Sequence, residues 1–110
     1  MKRYDTIEDM CEIGCSVLNI KTELGRESLR IALKNIQVLD RKNQDYGSAN
    51  IQEFGQFGLL IRINDKIARL KNLFSKNKNP KNESVRDSFL DLANYAIIAA
   101  TLEDSIDEEI

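Results

Sequence analysis

The chain has no histidine, a single proline, five glycines and two cysteines in 110 residues. Without histidine the commonest general base is absent, and with it the Ser-His and Cys-His nucleophile pairs. Any chemistry must then run on carboxylates, lysine, tyrosine or a bound metal. Two cysteines without histidine also cannot complete a zinc ligand set. Cys11 and Cys15 lie four apart on one helical face, where a disulfide is geometrically poor, so they read as reduced packing residues. Scarce glycine and proline argue against a β-rich or disordered chain. No apolar run approaches the ~20 residues of a membrane span, and the longest, Ala96 to Ala100, is a feature of a core helix. The opening Met-Lys-Arg-Tyr-Asp leads into acids rather than an apolar signal region, which points to a cytoplasmic protein.

What is present suits one small globular domain spanning residues 1–110, since 42% of residues are apolar and 31% charged. The formal net charge of −2 hides an uneven layout. The tail Glu103 to Ile110 carries five acids and no base, whereas Lys71 to Lys81 carries four lysines and no acid. Each reads first as a solvated segment, the tail as a frayed end. The basic run could also guide an anionic ligand. No basic helix or aromatic-basic alternation marks DNA or RNA as a direct partner.

Four helices account for most of the chain. The first begins near Thr6, an N-cap with Asp9 three residues on, and turns Ile7, Met10, Cys11, Val17 and Leu18 inward. The Gly25 region separates it from a second helix over about Glu27 to Lys42, with Leu29, Ala32, Leu33, Ile36 and Leu39 inward. Asn43 to Asn50 has turn chemistry, with Gly47 suited to a left-handed conformation. Phe54 to Gly58 reads as an irregular link packed on the core. A third helix runs from about Leu59 to Phe74 on the ridge Leu60, Ile63, Ile67, Leu70 and Phe74. A fourth starts near Asn82, with Glu83 in the first turn where the helix dipole favours an acid. The expected fold is an all-α four-helix bundle. Its last helix is apolar on too many sides for one small bundle to cover, so a second copy in a homo-oligomer is the economical partner.

The fourth helix nevertheless carries a narrow polar stripe of Glu83, Ser84, Asp87, Asp91, Asn94 and Tyr95. Carboxylates facing a core are costly unless paired, hydrogen-bonded or bound to a cation. The third helix carries a second stripe of Arg62, Asp65, Lys66, Arg69 and Asn72. Internal pairing such as Asp65 with Arg69 explains it simply. Placed opposite each other, however, the stripes would form a cleft suited to phosphates. Arg and Lys contact phosphoryl oxygens, and Glu83, Asp87 and Asp91, with Asp65, could hold Mg²⁺. Asn94 and Tyr95 offer hydrogen bonds or stacking to a base or sugar. Lys42, Asp45 and Tyr46 could close one end.

The strings KNQDYG, EFGQFGLLIRINDKIARLKNLF and NESVRDSFLDLANYAIIA together resemble the nucleotide-modification-associated domain, type one, of small helical phage and Firmicutes proteins. The resemblance covers about residues 27–102. It implies a phage- or prophage-encoded protein acting on a nucleotide. More distantly, the arrangement is similar to all-α MazG- and dUTPase-type pyrophosphohydrolases, in which E-x-x-E and E-x-x-D carboxylates hold Mg²⁺. Here Ser88 stands three residues before Asp91, the nearest acid being Asp87, and helix three has no E-x-x-E. Three functions follow. One is a Mg²⁺-dependent pyrophosphohydrolase using Asp65, Asp87 and Asp91. Another is a non-catalytic binder that sequesters a nucleotide-derived immune signal. The third is a helical interaction module with ion-paired stripes.

Overall fold

A computed structural model describes the backbone of residues 6–47, 49–76 and 83–107, with side chains for 6–47, 55–76 and 85–102. These residues form four helices and no strand: α1 (Ile7–Val17), α2 (Glu23–Tyr46), α3 (Ala49–Ser75) and α4 (Glu83–Asp107). The all-α expectation is met. The chain divides into two compact units, Met1–Asp45 with α1 and α2, and Tyr46–Ile110 with α3 and α4.

In the first unit, Thr6 caps α1 as its sequence predicts, its Oγ1 accepting from the Asp9 amide at 3.0 Å. The break between α1 and α2 falls at Leu18–Thr22 rather than at Gly25. Asn19 takes a left-handed φ of 59° there, a conformation that asparagine tolerates better than most side chains. Thr22 then caps α2, accepting from the Gly25 amide at 2.9 Å. Gly25 is needed for close approach, because a Cβ on it would lie 2.8 Å from Ile20 Cγ2. Cys11 and Cys15 are free and buried, and burial pushes the Cys11 thiol up, with Cys15 beside it adding to the effect. Both are packing residues, as their spacing suggests. Val17 and Leu18 were expected inward but are exposed, since α1 ends with them. On α2, Asn35 rather than Ile36 is the buried side chain.

The second unit is a helical hairpin. Gly47 has φ +78° and Gly55 φ +63°, so both need the freedom of glycine. Gly55 is non-helical, with φ 63° and ψ −164°, and divides α3 into a short helix before it and the main helix after it, so the break expected at Phe54 to Gly58 is present and the main helix begins just before the expected Leu59. Gln56 Nε2 donates to the Ala99 carbonyl at 3.1 Å, and Lys66 pairs with Asp91, which sets α3 and α4 antiparallel. Leu59 and Leu70 are the buried apolar residues of α3. Leu60, Ile67 and Phe74, expected on the inward ridge, are exposed, as is Phe57. The reason is geometric: α4 covers one stripe of α3, and that stripe is centred on Leu59, Ile63, Lys66 and Leu70.

The inward face of α4 is mixed, with Val85, Leu90, Leu92, Ile98, Ala99 and Leu102 half-buried. Its buried residues are Ser88 and Asn94, with Asp91 and Tyr95 half-buried. Phe89, Ala93, Ala96, Ile97 and Ala100 are all exposed. Asp91, Asn94 and Tyr95 thus turn inward, while Asp87 and part of the apolar arc face outward. The acidic tail continues α4 as helix to Asp107 rather than fraying at Glu103.

Candidate functional site

Arg62, Asp65, Lys66, Arg69 and Asn72 recur at intervals of one, three or four residues, which keeps them on one side of α3 over about 15 Å of axis. Together with Ala68 and with Tyr95 of α4, they line an open-sided hollow of about 730 Å³. The size falls in the range of small-molecule sites. Every described lining residue except Tyr95 comes from α3, so a single helix sets the spacing of these charges.

Two contacts organise the floor. Lys66 Nζ lies 3.0 Å from Asp91 Oδ2, with side chains 27% and 30% exposed. The Arg62 guanidinium lies over the Tyr95 ring, 6.0 Å from its centroid, at the outer limit of a cation–π contact. Arg62 and Arg69 make no ion pair among the described residues. Among the described residues the hollow therefore presents two exposed guanidiniums and one neutralised ammonium against the carboxylate of Asp65. Its electrostatics favour an anion.

The hollow brings together Arg62, Asp65, Lys66, Arg69 and Tyr95, five residues that the sequence marks as candidates. Asp91 joins them through Lys66. Asp87 is exposed and does not line the hollow, and Asn94 is buried in the hairpin behind it. Lys42, Asp45 and Tyr46 form the exposed last turn of α2. The Glu83 side chain lies outside the described residues. Two lining residues had no assigned role in the sequence. Asn72 continues the polar stripe, which signalled its place, whereas Ala68 carries no polar group to signal it.

Among the described residues no three Asp, Glu, His or Cys side chains gather where they could share an ion. The Asp91 carboxylate pairs with the Lys66 ammonium.

Fold and hollow together define an all-α protein that presents a cation-lined surface site along a helical hairpin. No helix among the described residues is long and apolar enough to cross a membrane. The chain belongs to the nucleotide modification associated domain 1 family, whose sequence profile matches residues 42–102. The match begins at Lys42, not near residue 27, and contains the whole of α3, so the hollow lies in the family region. Comparisons with curated proteins and with solved structures gave no match.

Proposed function

We propose that the α3–α4 hollow captures a nucleotide or nucleotide-derived molecule by its phosphoryl groups. The observation that carries this reading is the stripe of Arg62, Lys66 and Arg69 along an open hollow in the family region. Each guanidinium can donate to two phosphoryl oxygens in a planar fork, and an ammonium acts as a point charge. Asp65 and Asn72 add hydrogen-bonding capacity at the rim. Capture without turnover suits a protein that sequesters a nucleotide-derived signal, as a phage anti-defence protein would.

The competing reading is Mg²⁺-dependent pyrophosphohydrolysis on the MazG plan, with Asp65, Asp87, Asp91 and Glu83 as ligands and base. The lysine held by Asp91 and the missing E-x-x-E motif favour capture. Incubation with a panel of ribo- and deoxynucleoside triphosphates and cyclic nucleotides separates the two readings. Capture predicts retained, chemically intact ligand on filtration, unaffected by EDTA and recovered on denaturation. Pyrophosphate or phosphate release that requires Mg²⁺ would establish hydrolysis instead. Absence of any bound nucleotide would leave the interaction-module reading.

We also propose that the protein works as a homo-oligomer packed through the outer face of α4. Phe89, Ala93, Ala96, Ile97 and Ala100 recur at three- and four-residue steps with no charge among them, which forms a self-complementary seam for a two-fold contact. A hairpin burying only Leu59 and Leu70 among its described apolar residues has little core of its own. Light scattering is expected to give at least twice the 12.6 kDa chain mass. Ile97→Asp should move the mass toward one chain; an unchanged mass would place the contact elsewhere.

A further inference from the structure

Among the described residues the hollow has one aromatic lining residue, Tyr95, and in a nucleotide site such a ring is the natural platform for a base. Its placement argues otherwise. Tyr95 is half-buried and the Arg62 guanidinium covers one of its faces at 6.0 Å. A base stacking on that face would have to displace a cation from a site whose value lies in its cations. Behind Tyr95, α4 supplies buried Ser88 and Asn94, neither of which lines the hollow. The α3 stripe, in contrast, sets Arg62 and Arg69 two turns apart, about 10 Å along the axis, with Lys66 between them.

We infer that this hollow recognises a chain of phosphates and leaves the base unread, with Tyr95 acting as a positioning residue that holds Arg62 in place. The inference rests on the nucleotide-capture reading and narrows it to polyphosphate-bearing ligands with little base selection. A guanidinium already lying on a ring has lost part of its rotamer freedom, so less is lost when it closes on phosphoryl oxygens. The ligand's nucleoside then projects through the open side of the hollow toward solvent. Tyr95 touches Arg62 and need not touch the ligand.

Calorimetric titration of the full chain with sodium tripolyphosphate, ATP and CTP, without Mg²⁺ and at one ionic strength, tests this directly. The three dissociation constants should agree within about threefold. Tyr95→Leu should weaken all three by about two- to fivefold, the worth of an exposed cation–π contact, while Tyr95→Phe keeps wild-type values. Circular dichroism of both variants checks that the helices persist. Nucleotide binding without tripolyphosphate binding, or a Tyr95→Leu loss confined to the nucleotides, would overturn the inference and make Tyr95 a base platform. Those results would leave nucleotide capture standing. Failure of all three ligands to bind would remove the capture reading and this inference with it.

Discussion

Asp91→Asn is expected to tighten polyphosphate binding by about three- to tenfold, the opposite of what loss of a metal ligand would do. The reason lies in the 3.0 Å pair between Lys66 Nζ and Asp91 Oδ2. Both side chains are more than two-thirds buried, so the pair is screened less than a surface ion pair. A phosphoryl oxygen approaching Lys66 must share or displace the carboxylate, and Asp91 therefore acts as a resident competitor for the ligand. Asparagine keeps the size and a hydrogen-bond acceptor but removes the charge, which leaves the ammonium available. Surface ion pairs are worth about 0.2–1 kcal/mol and charged hydrogen bonds about 1.5–3 kcal/mol. A partly exposed pair lies between these ranges, consistent with the gain stated. The same change should lower folding stability by about 1 kcal/mol, because Lys66 loses its partner. Calorimetry with tripolyphosphate in the absence of Mg²⁺, paired with a thermal melt, reads both effects. Weakened binding together with loss of a Mg²⁺-dependent product would identify Asp91 as a metal ligand and return the protein to the hydrolytic reading.

The larger loss is expected from the arginines. Arg62 and Arg69 are exposed and make no ion pair among the described residues, so their removal should cost little stability. Surface substitutions of this kind usually stay within about 0.5 kcal/mol. In the complex each would make charge-assisted hydrogen bonds worth about 1.5–3 kcal/mol. Arg62→Ala and Arg69→Ala should each weaken binding by roughly 10- to 100-fold, and the double variant by more than 100-fold. Lysine at either position should restore only part of the affinity, because an ammonium cannot offer the planar fork. Equal binding by the double variant and the wild type would place the ligand away from the hollow.

How much of this was legible in the sequence varies by element. The polar stripe of α3 was visible because helical periodicity alone puts Arg62, Asp65, Lys66, Arg69 and Asn72 on one side. The Thr6 cap, the left-handed Gly47 and the start of α4 at Glu83 follow from local chemistry and were equally accessible. The break near Gly55 was legible as well, because glycines among aromatics have the composition of a helix end, and the chain there passes through a non-helical, positive-φ residue before the main run of α3. The inward ridge of α3 was misplaced because periodicity finds an apolar face without showing which face meets a neighbour. Leu60, Ile67 and Phe74 satisfy the period, but they are exposed.

The site shows the same division. Sequence spacing put Asp87 and Asp91 one turn apart on α4, a spacing that fits a shared ion. The crossing of the two helices gives them different surroundings: Asp91 meets Lys66 and Asp87 is exposed. No property of α4 alone distinguishes these acids, because the difference comes from what α3 places opposite each of them.

The amino-acid sequence by itself determined that the protein is helical, that it lacks histidine-based chemistry, and that one helix carries a row of cations. These depend on residue type and on the fixed geometry of a single helix. Only the tertiary structure decided that α4 turns Asp91, Asn94 and Tyr95 inward but leaves Asp87 exposed, that Asp91 neutralises Lys66, and that Arg62 stands over Tyr95. Each of these is a relation between residues about thirty apart in the chain. Such relations are set by the angle and register at which two helices pack, which no local pattern encodes.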